Sequence, residues 1–72
     1  FKLERYKQSR DYLQMAVRLM PGDPVVNDHY GDALWKNGNE LQARYYWKYV
    51  LSLEESKKDL KKIIEKKLLL GL

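Results

Sequence analysis

The sequence predicts an all-α chain of about four helices arranged as antiparallel hairpins, and three observations carry that expectation. Apolar residues recur at three- and four-residue intervals along most of the chain. The prolines and all glycines but Gly31 cluster where one periodic stretch ends and the next begins or at the chain's end. Laid on itself at an offset of 34 residues, the chain superimposes apolar positions on apolar positions, a period typical of stacked helical hairpins. No strand, low-complexity tract or flexible linker is expected.

The first full helix is expected from about Arg5 to Met20, with Tyr6, Leu13, Ala16, Val17 and Met20 on one side. Phe1 to Leu3 are either the last turn of a preceding helix, with a turn at Glu4-Arg5, or part of one continuous helix. Pro21-Gly22-Asp23-Pro24 ends this element and starts the next. Asp23 is a good N-cap and Pro24 suits the first helical position, where its missing N–H has no intrahelical partner to lose. The second helix carries Val26, Tyr30, Ala33, Leu34 and Trp35 and closes at Asn37-Gly38, where glycine accepts a positive φ. Asn39 with Gln42 predicts a capping box for the third helix, whose period runs through Leu41, Tyr45, Trp47, Val50 and Leu51 to Leu53. Ser56 with Asp59 predicts another for the last helix, which runs to about Leu70 before Gly71.

The 34-residue comparison relates the first helix to the third and the second to the last. Leu13 falls on Trp47, Ala16 on Val50, Tyr30 on Ile64, His29 on Ile63 and Leu34 on Leu68. The small residues are not kept in the last helix, where Gly31 meets Glu65 and Ala33 meets Lys67. That helix is therefore expected to terminate the stack.

Seventy-two residues allow one small domain whose core is marginal without a partner or staple. There is no cysteine, so disulfides and thiolate metal sites are excluded. No run approaches the roughly 20 apolar residues of a membrane-spanning helix. Opening on Phe1 without a leader pattern, the chain reads as a fragment or processed form; it is expected to be soluble, with cytoplasm and periplasm both open. The net charge of +4 resides in residues 57–72, where six lysines face only Asp59 and Glu65. The basic balance thus describes one helix and not the whole surface.

Gly31, Leu34, Ala43, Trp47 and Val50, with Ala16, Leu19 and Pro21 in the preceding half-repeat, resemble the tetratricopeptide repeat family. The stretch from Asp23 to Trp35 is similar to bacterial units of that family, and the resemblance covers about Tyr6 to Ser56. It implies a right-handed α-solenoid: 1–23 the second helix of a truncated unit, 24–56 a complete unit, and 57–72 a capping helix. Gly31 and Ala43 would allow close approach of two helices, and Trp47 or Leu13 would fill the gap toward the next hairpin. Asn27 stands where the family often has a large aromatic, Glu55 where it has a second proline, and Ser9 where it has alanine.

The same resemblance implies a protein–protein interaction scaffold with no catalysis and no cofactor. Its groove would be lined by Val25, Asp28, His29, Asp32, Trp35 and Lys36. Asp28 and Asp32 would favour a basic segment, while Trp35 is equally open to a packing or an anchoring role. One imidazole with two carboxylates on a single short helix does not make an acid/base or metal site. The residues with which some family members clamp a C-terminal carboxylate are absent. Tyr45, Tyr46, Trp47 and Tyr49 read as core before they read as a base-stacking surface, so nucleic acid is disfavoured.

Lys57, Lys58, Lys61, Lys62 and Lys66, with Lys67, read as the polar outer side of a cap. Set opposite Leu60, Ile63, Ile64 and Leu68, they also make the pattern of an interfacial helix, so an anionic membrane or acidic partner is the alternative reading. With about one and a half units present, either preceding repeats or self-association through Tyr6, Leu13 and Val17 is expected to cover the first helix.

Overall fold

The computed structural model describes residues 2–72, with side chains from Glu4 onward. The described residues form four helices and no strand: α1 (Lys2–Leu19), α2 (Pro24–Lys36), α3 (Glu40–Ser52) and α4 (Lys58–Leu70). Phe1 lies outside them, and from Lys2 onward α1 is continuous, with no turn at Glu4-Arg5.

The helix boundaries follow from local chemistry. Asp23 adopts an extended backbone and its carboxylate accepts the Val26 N–H at 3.0 Å, with Pro24 at the first helical position. Gly38 has φ 83° and ends α2 with a turn that a Cβ would strain. The Asn37 side-chain amide donates to the carbonyls of Ala33 at 2.8 Å and Tyr6 at 2.7 Å, so the end of α2 is tied to the start of α1. Asn27 does the same at the other end, donating to the carbonyls of Pro21 and Asp23. Asn27, a departure from the resembled family's frequent aromatic, thus makes hydrogen bonds to the turn instead.

Neither expected capping box forms. Asn39 has φ −90° and ψ 61°, outside the extended region that aims a capping side chain at the helix N–H groups, and its side chain caps nothing. Ser56 is buried and its hydroxyl donates to the Val50 carbonyl at 2.6 Å, so it closes α3 instead of opening α4, whose N-cap is Lys57.

Short connections make α1, α2 and α3 pack in sequence as antiparallel neighbours, and α4 packs on α3. Tyr30, Leu34, Ala43, Trp47, Val50 and Ile64 form the core. Its centre is Trp47, fully buried against Gly31: a Cβ on Gly31 would lie 2.5 Å from Trp47 Nε1 and 3.3 Å from the Ala43 carbonyl oxygen. Gly31 is therefore the recess that admits the indole between α2 and α3.

Burial follows the 34-residue period where neighbours are equivalent and departs where they are not. Ala43 is buried while Ser9 is exposed, and Tyr46 is half-buried while Tyr12 is exposed, because α3 lies between α2 and α4 whereas α1 packs mainly on α2. Leu13 and Val17 pack against the core and Tyr6 is half-buried, so the exposed apolar stripe of α1 is Tyr12, Met15 and Leu19. The face expected for self-association is thus the one that α2 already occupies. The outer face of α4 is likewise not purely polar, since Ile63, Leu69 and Leu70 are exposed among its lysines.

Gly31→Ala is expected to destabilise the fold by about 1–2 kcal/mol, because overpacking a rigid buried indole outweighs the roughly 1 kcal/mol gain in helix propensity. Urea unfolding followed by circular dichroism measures it; an unchanged or raised midpoint would contradict the packing described.

Candidate functional site

Val25, His29, Asp32 and Lys36 fall at helical spacing on one edge of α2. That edge lies between two neighbours. α1 runs antiparallel on one side, with Tyr6 beside Lys36 at 6.0 Å from ammonium to ring centre. α4 runs parallel on the other, so that Leu60 and Ile63 lie near Val25, Lys67 reaches Asp28 and Asp32, and Gly71 packs on Trp35.

The Lys67 ammonium donates to Asp28 Oδ1 at 2.8 Å and to both oxygens of Asp32 at 2.9 and 3.1 Å. Trp47 Nε1 donates to Asp32 Oδ1 at 3.1 Å, and the ammonium stands 5.8 Å from the Trp47 ring centre. Side-chain exposures are 14% for Lys67, 8% for Asp28 and 27% for Asp32. Burial pushes the Lys67 pKa down, but its hydrogen bonds to the two carboxylates more than reverse this and hold it above the usual lysine value. Burial, reinforced by the neighbouring Tyr46, pushes the Tyr30 phenol up.

This cluster changes what the edge offers. Asp28 is buried and gives a partner no accessible carboxylate, and Asp32 is already engaged by a cation of the same chain. Trp35 is half-buried, stacked on Trp47 at 5.5 Å between ring centres, and covered in part by Gly71, whose φ is 77°. Lys67 faces inward, unlike Lys57, Lys58, Lys62 and Lys66, which are exposed, while Lys61 is half-buried. Of the apolar residues expected opposite the lysines, Ile64 is buried and Leu60 and Leu68 pack on the core, leaving only Ile63 exposed.

Two cavities open on the edge. One, of about 380 Å³, lies against α1 and brings His29, Asp32 and Lys36 together with Arg5, Tyr6 and Ser9. Ser9, His29 and Asp32 are the residue types of a nucleophilic triad, yet no hydrogen bond joins them, and the Asp32 carboxylate serves Lys67 and Trp47. No group of three or more His, Asp or Glu among the described residues is placed to hold a metal ion. The other cavity, of about 460 Å³, lies against α4 with Pro24, Val25, Leu60 and Ile63 among its walls. Arg5 and Ser9 escaped the sequence reading as site residues, and Leu60 and Ile63 entered it only as the apolar side of an interfacial helix. The 34-residue pairing of His29 with Ile63 was the available signal, since it sets both at one phase of neighbouring helices.

No family model, curated protein or solved structure matches this chain.

Lys67→Met is expected to cost about 3 kcal/mol, because it leaves two carboxylates buried side by side without their cation. Asp32→Asn in the same background should recover part of the loss in a double-mutant cycle. The folded state holds the Lys67 and Tyr30 protons more tightly than the unfolded state. Stability from these groups is therefore complete at neutral pH and lost as pH rises beyond about 10. The alkaline loss should be shallower in Lys67→Met; denaturant titrations across that range giving parallel curves would refute the pairing.

Proposed function

We propose that this chain is a protein-interaction module of the tetratricopeptide kind, which holds a peptide or partner segment along the exposed edge of α2 and performs no catalysis. The observation that carries this reading is that two cavities open on the same edge of one helix, one walled by α1 and one by α4. In this reading residues 24–56 are a complete repeat, 1–23 the second half of another, and α4 the first helix of the next position in a right-handed solenoid. Support comes from the 34-residue period, the Gly31–Trp47 packing and the parallel run of α2 and α4. The contact residues are Val25, His29 and Lys36, joined by Arg5, Tyr6 and Ser9, with Asp28 and Trp35 serving the scaffold beneath.

A second reading rests on α4. Its outward side sets Lys58, Lys62 and Lys66 among exposed Ile63, Leu69 and Leu70, a pattern suited to an anionic surface. Vesicles containing phosphatidylserine would then bind the chain and release it when these three lysines become glutamate.

Peptides selected from a random library on the wild-type chain should lose roughly tenfold or more in affinity on His29→Glu with Lys36→Glu, and little on Lys48→Glu on α3. Selected peptides indifferent to the α2 edge would sink the groove reading.

A further inference from the structure

The cavity between the start of α2 and the start of α4 differs in character from the one against α1. Its floor is apolar, with Val25 and Ile63 exposed to 51% and 52%, beside half-buried Pro24 and Leu60. Its volume of about 460 Å³ lies within the roughly 300–1,000 Å³ usual for ligand pockets. Its rim carries Asp23, Glu55 and Asp59 against the single cation Lys57.

Those rim charges run against the net charge of the whole chain, which is +4. Asp23 has a local task in capping α2. Asp59 lies in the first turn of α4, where a carboxylate suits the helix dipole. Glu55 stands in the α3–α4 connection with no such task, and neither Glu55 nor Asp59 forms an ion pair among the described residues. An apolar recess whose rim sets three carboxylates against one ammonium is complementary to an apolar side chain with cationic neighbours. It repels an anionic lipid surface.

We propose that this cavity holds the leucine-like anchor of a peptide whose adjacent residues are lysine or arginine; the assignment rests on the reading of the α2 edge as a peptide-binding surface. Val25 and Ile63 grip the anchor from two parallel helices, and Glu55 and Asp59 take the flanking cations. The preference for basic segments thus belongs to this rim and not to Asp28 and Asp32, which Lys67 satisfies from within the chain.

Three labelled octapeptides test it by fluorescence anisotropy at low salt: a central leucine flanked by arginines, the same leucine flanked by glutamates, and a central serine flanked by arginines. The first should bind roughly tenfold or more tighter than either other, lose that advantage on Ile63→Ser, and lose it as salt screens the rim. Glu55→Arg with Asp59→Arg should shift the preference to the glutamate-flanked peptide. All these positions are exposed, and circular dichroism checks that each variant stays helical, with Glu55→Arg alone as the milder reversal. Equal binding of the three peptides, or a first peptide indifferent to Ile63→Ser and to charge reversal, overturns the proposal. If that indifferent peptide still responds to His29→Glu with Lys36→Glu, the α2-edge reading survives. If no peptide binds at any edge position, both fall. Self-association of the chain abolished by Ile63→Ser would give the cavity to a second copy and likewise overturn the assignment.

Discussion

The ammonium of Lys67, set between Asp28 and Asp32 above the Trp47 ring, is the interaction on which the arrangement of α4 relative to α2 depends. Apolar packing alone leaves a helix free to slide along its neighbour, since dispersion and burial are weakly directional. A partly buried ammonium with three short hydrogen bonds is not so tolerant. Any shift of α4 leaves two carboxylates without their cation in a region of low polarity, where charge is costly. The Trp47 N–H to Asp32 brings α3 into the same constraint, so one polar cluster registers three helices.

That cluster can form only because Gly31 is a glycine. The recess it leaves admits the Trp47 indole far enough to bring its N–H to Asp32 and its face near Lys67. Trp35 then stacks on Trp47, and Gly71, at a positive φ, packs against Trp35. Packing, hydrogen bonding and the chain's C-terminal turn thus form one connected series, running from a missing Cβ to the end of α4.

The proposed binding surface is what this series leaves uncovered. With α1 and α4 held on either side of α2, the Val25–His29–Lys36 edge stays open, bounded by cationic Arg5 and Lys36 at one end and the acidic rim at the other. The structure also leaves apolar side chains exposed on the outer faces of α1 and α4, Tyr12, Met15 and Leu19 on one and Ile63, Leu69 and Leu70 on the other. These are the faces on which helices of a longer stack or of another molecule would find apolar surface to bury.

Helix number, approximate extent, the Asp23–Pro24 start and the Gly38 stop were legible in the sequence, because each depends on residues a few positions apart, whereas Trp47, expected to fill the gap toward a next hairpin, instead fills the Gly31 recess between α2 and α3. The two capping boxes were misread because Ser56 spends its hydroxyl on the Val50 carbonyl six residues back and the backbone of Asn39 lies outside the extended region that a cap requires. The edge residues of α2 could be named from helical spacing, but not which of them remain available. Lys67 looked like one lysine among six, and Asp28 and Asp32 looked like free acids; nothing within a few residues of either distinguishes a solvated charge from a paired one. The partners are 35 and 39 residues apart, and only the docking of α4 alongside α2 brings them within hydrogen-bonding distance. Short-range periodicity therefore determined the helices of this protein, while the tertiary structure decided which charges were spent inside it and which were left exposed.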